Sequence, residues 1–193
     1  MKRIVIFASG SGTNAENIIT YFKNSSFVSV VLVLTNNPHA KVLDRAKDLE
    51  VSAMSFNRMA FSKTDNVLQL LKANKPDLIV LAGFLWKFPD FILNEFPNKV
   101  INIHPALLPK YGGKGMYGQY VHEAIVANKE VETGITIHYV NEHYDKGAII
   151  FQTTCQVKST ESAQDVAVKI HELEMEYFPK VVEQLLKNQF SEC

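Results

Sequence analysis

Asn102 and His104 stand out, by type and spacing, in the stretch Asn102-Ile103-His104-Pro105-Ala106-Leu107-Leu108-Pro109. The stretch follows the apolar approach Lys99-Val100-Ile101, and alternate side chains of a strand share a face. Asn102 and His104 are therefore expected to point the same way. An amide donates hydrogen bonds without changing charge, whereas an imidazole can take a proton near neutral pH. Side by side they suit a reaction in which an oxygen becomes negative and a nitrogen must be protonated. Pro105 and Pro109 cannot donate to a sheet ladder, so the strand should end at His104, at the carboxyl edge of a sheet. The same residues also fit a buried strand with one hydrogen-bonded core histidine, and so short a pattern does not decide between the two.

Such a pair needs a frame. Arg3-Ile4-Val5-Ile6-Phe7-Ala8 is a continuous apolar run of strand length, as in a parallel strand covered on both faces. It breaks at Ser9-Gly10-Ser11-Gly12-Thr13-Asn14, after which Ala15, Ile18, Ile19 and Phe22 recur at helical spacing. A glycine-rich turn thus leads into a helix N-terminus, where unpaired N–H groups and the helix dipole favour a monophosphate-sized anion. A purely structural strand-to-helix turn is the alternative. The loop lacks the Gly-Lys-Ser/Thr of a Walker A motif, and Ala15 stands where the third glycine of a dinucleotide fingerprint, or its alanine substitute, would fall. No acidic ribose ligand is evident downstream.

Further strands are expected at Ser29 to Thr35, Ser52 to Phe56 and Asp77 to Ala82, with helices between them carrying Val42, Ala46 and Leu49, then Val67, Leu70 and Leu71. This alternation over the first hundred residues argues for an open parallel sheet with helices on both faces. Ligands of such sheets sit outside the carboxyl ends of the strands. The loop Gly83-Phe84-Leu85-Trp86-Lys87-Phe88-Pro89 should therefore border the same crevice as Asn102. Its aromatic side chains either receive a flat heterocycle or pack under the next helix.

Lys110 to Gly118 contains four glycines and reads either as a loop mobile until substrate arrives or as a plain surface connection. A helix carrying Val121, Ala124 and Ile125 should end near Asn128. In Gly134 to Val140 apolar and polar residues alternate, which predicts a strand with one wetter face, and Ala148 to Val157 should pair with it antiparallel. The last helix should begin near Glu161, place Val166, Ile170, Leu173 and Tyr177 along one side, and be kinked or restarted by Pro179.

The 193 residues suit one unit rather than several domains. The chain is 47% hydrophobic and 21% charged, with 20 basic and 20 acidic side chains. That balance disfavours a broad nucleic-acid surface, which needs clustered Lys and Arg. Cys155 and Cys193 give neither a disulfide framework nor zinc spacing, so a reducing cytoplasm is the expected setting. The apolar run after Met1-Lys2-Arg3 is too short for a signal peptide, and no stretch reaches the length of a membrane span.

Four segments in this order carry a resemblance: Gly10-Ser11-Gly12-Thr13-Asn14, Leu81-Ala82-Gly83-Phe84, Asn102-Ile103-His104-Pro105 with Leu107-Leu108-Pro109, and Thr133-Gly134 leading through His138 to Asp145. Together they resemble the formyltransferase family that uses 10-formyltetrahydrofolate, over nearly the whole chain and most closely its glycinamide ribonucleotide branch. The resemblance implies a single Rossmann-like domain over 1–193, mostly parallel with an antiparallel C-terminal strand pair. Residues 1–100 would be its phosphate-binding half and 101–193 its catalytic and folate-binding half. It implies Asn102, His104 and Asp145 as the catalytic set, Asp145 keeping His104 protonated. The acceptor's phosphate is implied at Ser11, Gly12, Thr13 and Asn14, and its amine end at Glu174. The folate is implied against Leu85, Trp86, Lys87 and Phe88, against Asn102, and against Asn141, Glu142, His143 and Tyr144 on the opposite side. Lys63 falls about where an arginine assists in relatives.

The implied partners are glycinamide ribonucleotide and 10-formyltetrahydrofolate, with no metal, no nucleic acid and no membrane, in a monomer or weak homodimer. A tRNA-formylating relative would carry a C-terminal RNA-binding domain, and a formyl-folate hydrolase an N-terminal regulatory one; the span from Arg3 to Cys193 favours neither. Trp86-Lys87 and Ala106 depart from common family residues, and Lys110 to Gly118 is longer than in several relatives.

Overall fold

The structure is a computed structural model in which residues 1–191 are described; Cys193 lies outside them. Seven strands form one sheet in the order β3-β2-β1-β4-β5-β6-β7. They are β1 (Lys2–Phe7), β2 (Val28–Thr35), β3 (Ala53–Ser55), β4 (Leu78–Leu81), β5 (Val100–His104), β6 (Glu132–Tyr139) and β7 (Ile149–Gln156). Pairings from β3 to β5 are parallel; β5 with β6 and β6 with β7 are antiparallel. The helices are α1 (Thr13–Phe22), α2 (Val42–Asp48), α3 (Arg58–Ser62), α4 (Asn66–Asn74), α5 (Asp90–Glu95), α6 (Gln119–Ala127) and α7 (Ala163–Ser191).

Alternation along β1 separates two cores. Ile4, Ile6 and Ala8 pack with Ile18 of α1, Val42 of α2, Val121 of α6 and Val166 of α7. Val5 and Phe7 pack with Phe61 of α3, Leu71 of α4 and Ile92 of α5. Burial on both faces is why β1 and β4 read as unbroken apolar runs.

Two expectations are corrected. Pro179 does not restart α7, since one helix runs from Ala163 to Ser191. A proline withholds the N–H that would bond the carbonyl four residues earlier. That carbonyl, on Met175, instead accepts from Asn17 Nδ2 of α1 at 2.7 Å. The second correction concerns β6, whose polar face is not wet: Thr136 and His138 are as buried as Ile135 and Ile137. Segment Pro105 to Pro109 folds against that face, where Thr136 Oγ1 donates to the Ala106 carbonyl at 2.7 Å and accepts from Leu108 N at 3.0 Å.

Candidate active site

β5 ends at His104, as the flanking prolines dictate, and its register with β6 sets Asn102 opposite His138. His138 Nδ1 lies 2.8 Å from the Tyr139 carbonyl, and Asn102 Nδ2 lies 3.2 Å from His138 Nε2. A carbonyl only accepts, so the neutral ring carries its proton on Nδ1 and its Nε2 accepts from the Asn102 amide. That fixes the N–H side of Asn102 and leaves its second N–H available. His104, 3% exposed, is held similarly, its Nε2 donating to the Tyr111 carbonyl at 2.8 Å. The nitrogen left to gain a proton is Nδ1, which faces Asp145 Oδ2 at 3.7 Å.

Asp145 sits in the turn between β6 and β7. Gly147 anchors that turn against the end of β6, where a Cβ would fall 1.6 Å from the Tyr139 carbonyl oxygen. No other residue fits without moving backbone. Asp145 Oδ2 accepts from Gly113 N at 2.8 Å, and Oδ1 lies 3.6 Å from His138 Nε2. One carboxylate thus joins the end of β5, β6 and the glycine-rich segment before α6. That segment is also tied by Tyr111, whose hydroxyl donates to Glu130 at 3.0 Å.

Burial pushes the His104 pKa below the ordinary histidine range; the Asp145 charge and the Tyr111 carbonyl pull it back without fully offsetting the loss of water. The Asp145 charge acts on the ring in the expected direction, toward the protonated form. Burial also pushes the Asp145 carboxyl up, but the facing histidine rings and the Gly113 N–H together bring it lower. Asp145 is thus a carboxylate at neutral pH, poised to favour the proton on His104 when further negative charge develops nearby.

A cavity of about 730 Å³ opens over these groups, within the usual range for a small-molecule site. It is lined by Asn102, His104 and Asp145, by Asn14 and Glu174, by Leu85, Trp86, Lys87 and Phe88, and by Asn141, His143 and Tyr144. Glu174 is not the solvated helical side chain its sequence position allows: its Oε2 accepts from Asn14 Nδ2 at 2.8 Å and its side chain is 15% exposed.

Ser11, Gly12, Thr13, Lys63 and Glu142 are not among the lining residues. The reason for the first three is local. Gly12 takes φ +74° against Val42, where a Cβ would meet Val42 Cγ2 at 2.4 Å, and Ser11 turns its carbonyl to Arg45 Nε at 2.8 Å. Helix α1 starts at Thr13, so Asn14 is the first side chain of that helix to reach the cavity. Lys63 caps the C-terminus of the short helix α3, which sequence periodicity does not reveal. From the other end of α3, Arg58 places its guanidinium carbon 5.0 Å from the Trp86 ring centroid, so the cation reaching the aromatic loop is Arg58. Glu142 is exposed and pairs with the neighbouring His143 at 3.4 Å.

The aromatic loop divides between its two readings. Phe84 and Phe88 are buried and pack edge-on against Phe7 and Phe61, whereas Leu85 is half exposed and Trp86 half-buried at the cavity wall. Ser9 Oγ, accepting from Leu85 N at 2.9 Å, ties this loop to the end of β1.

Sequence reasoning missed Ser9, Gly113, His122, His138 and His171, all of which line the cavity. Thr136 and His138 at alternate positions of β6 were the available signal for His138. His122 and His171 are lone histidines on helices that gave none.

Comparison with known proteins bears on the family and the fold. The model of the family described as Formyl transferase matches residues 2–182. The phosphoribosylglycinamide formyltransferase of Bacillus subtilis is 35% identical over 193 residues, covering 96% of this chain and 95% of that protein. That of Haemophilus influenzae is 34% identical, covering 94% and 86%. Among solved structures, the Bacillus halodurans phosphoribosylglycinamide formyltransferase superposes with a TM-score of 0.86 at 34% identity, covering 96% of this chain and 95% of that one. By sequence and by fold, the chain belongs to the formyl transferase family.

Proposed function

We propose that this protein transfers the formyl group of 10-formyltetrahydrofolate to the primary amine of glycinamide ribonucleotide, giving formylglycinamide ribonucleotide and tetrahydrofolate in purine biosynthesis. The relatives named above are called phosphoribosylglycinamide formyltransferases, which supports the acceptor and the formyl group of this reading. The observation that carries the reading is the meeting of the Asn102 amide, the His104 ring and the Asp145 carboxylate in one cavity.

The amine attacks the formyl carbon, a C–N bond forms, and the carbonyl electrons move to oxygen. Asn102, its orientation fixed by His138, donates to that oxygen, and a proton on His104 Nδ1 stabilises it further. Such donors act most strongly where charge develops only during reaction. As the intermediate collapses, the bond to the folate nitrogen breaks. The proton lost by the attacking nitrogen balances the one the departing nitrogen gains, and Asp145 with His104 forms the route between them. Asn14 and Glu174 receive the acceptor, Glu174 at its amine end, and the α1 N-terminus with Ser11, Gly12 and Thr13 faces its phosphate through backbone N–H groups. Leu85 to Phe88 and Asn141 to Tyr144 flank the folate. Residues 1–100 then form the phosphate-binding half and 101–193 the catalytic half of one domain. Among the described residues no helix is long and apolar enough to cross a membrane.

The test is an absorbance assay with purified protein and 10-formyltetrahydrofolate, with and without glycinamide ribonucleotide. Tetrahydrofolate released only with the amine supports transfer. Equal release without it contradicts transfer and indicates hydrolysis.

A further inference from the structure

His104 and Asp145 are both held from one short stretch before α6. The Tyr111 carbonyl meets His104 Nε2 at 2.8 Å, and Gly113 N donates to Asp145 Oδ2 at 2.8 Å. Between these contacts Gly112 packs tightly: a Cβ there would stand 2.6 Å from Leu108 Cδ2 and 3.2 Å from Asp145 Cβ. Tyr111 itself sits at φ +55°, a left-handed conformation that disfavours a residue with a Cβ. Such a backbone persists where its surroundings hold it, and it is found most often at functional sites. The Tyr111 hydroxyl donates to Glu130 Oε1 at 3.0 Å and accepts from Asn128 Nδ2 at 3.1 Å, at and just beyond the C-terminus of α6. Lys110 Nζ donates to the same Glu130 oxygen at 3.1 Å. One residue therefore carries an anchor on its side chain and the contact to the catalytic ring on its carbonyl.

We propose that Tyr111 is a positioning residue for the transfer: its hydroxyl, fastened to Glu130 and Asn128, fixes the backbone whose carbonyl keeps the His104 proton on Nε2. This rests on the proposed formyl transfer and adds to it a means of choosing the ring nitrogen. A neutral imidazole carries one proton, and the hydrogen bond made by one nitrogen decides what the other can do. With the carbonyl in place, Nδ1 is the basic nitrogen and faces Asp145 at 3.7 Å. With the carbonyl displaced, the proton moves to Nδ1, where the Asp145 carboxylate attracts it, and the basic nitrogen becomes Nε2. The proton route between the attacking and departing nitrogens then lacks its acceptor beside Asp145. The charged ring is weakened as well, because the carbonyl favours the protonated form.

The experiment compares Tyr111→Phe, Glu130→Ala and Glu130→Gln. Phenylalanine keeps the ring and drops only the hydroxyl; alanine removes the acceptor of that hydroxyl, and glutamine restores one. Circular dichroism checks folding, and Glu130→Ala carries the test if Tyr111→Phe does not fold. Nitrogen NMR of the imidazole, with His104→Ala identifying the signals, reads which ring nitrogen holds the proton. Tyr111→Phe and Glu130→Ala should shift that proton from Nε2 toward Nδ1 and lower kcat about fivefold to 50-fold, with KM for both substrates within about twofold. Glu130→Gln should keep the parent tautomer and a kcat within about twofold. The double variant Tyr111→Phe/Glu130→Ala should be no slower than the slower single variant, since both cut one contact. An unmoved tautomer, an unmoved kcat, a glutamine variant as slow as the alanine one, or multiplying losses in the double variant would each overturn the role of Tyr111 while leaving formyl transfer intact, even if Tm falls. Absence of amine-dependent transfer by the unsubstituted protein would overturn formyl transfer itself, and the tautomer read by NMR would still decide whether Tyr111 sets the proton.

Discussion

Asp145→Asn removes one charge and little else. The asparagine carbonyl can still accept from Gly113 N, which Asp145 Oδ2 meets at 2.8 Å, so the segment before α6 keeps its anchor. What is lost is a negative charge 3.7 Å from His104 Nδ1. At that separation an effective dielectric between 80 and 20 gives about 1 to 4 kcal/mol of support for the imidazolium. The pair is largely buried, with side-chain exposures of 4% and 12%, which favours the upper part of that range. The charged fraction of His104 at neutral pH should then fall by about tenfold to a thousandfold. If the charged ring holds the oxyanion, kcat/KM falls by the same factor. The assay has two arms. Ring-proton NMR titration follows His104, identified by its loss in His104→Ala, and steady-state kinetics at neutral pH follow transfer. The titration should move to lower pH in Asp145→Asn and activity should fall with it. An unmoved His104 titration, or kcat/KM within about twofold of the parent, would refute the coupling.

Three further outcomes follow from the same contacts. Gly147→Ala must displace the Tyr139–Gly147 crossing, since its Cβ would stand 1.6 Å from the Tyr139 carbonyl oxygen, and should lower kcat at least about tenfold through the shifted Asp145; a fully active variant would show that the turn does not position the carboxylate. Asn17→Ala should destabilise the fold by about 1 kcal/mol in urea by freeing the Met175 carbonyl. The loss should shrink when Pro179→Ala restores a backbone N–H to that carbonyl, and strict additivity in the double-mutant cycle would contradict the assignment. Burial holds His104 and His122 below the ordinary histidine range, so the unfolded chain binds more protons as pH falls through about 6.5. Their contribution to stability is full above that pH and is lost as pH falls through the lower folded midpoints. His171, raised by the Glu174 hydrogen bond, acts in the opposite sense but is half exposed. Tm should therefore fall between pH 7.5 and 5.5, and less steeply in His122→Asn; a flat profile would contradict the burial argument.

Much of the framework was legible because it rests on local rules. Apolar runs marked β1, β2 and β4, the stripe Ala15, Ile18, Ile19 and Phe22 marked α1, and two prolines ended β5 at the right residue. Asp145 and Glu174 became visible only through family resemblance, since nothing local distinguishes a turn aspartate or a helical glutamate that a distant segment will bury. The failures share that cause. Pro179 looks like a helix breaker until Asn17 arrives from α1 to satisfy the freed carbonyl. The polar face of β6 looks solvated until Pro105 to Pro109 folds over it.

The central claim is that Asn102 and His104 hold the oxygen that becomes negative, and single-turnover kinetics of His104→Ala test it most directly. The rate of formyl transfer from bound 10-formyltetrahydrofolate should fall by at least about a hundredfold, the usual loss for one oxyanion donor, with folate affinity changed less than about threefold. A variant that transfers at the parent rate, or one that loses rate only because it no longer binds the folate, would contradict the account.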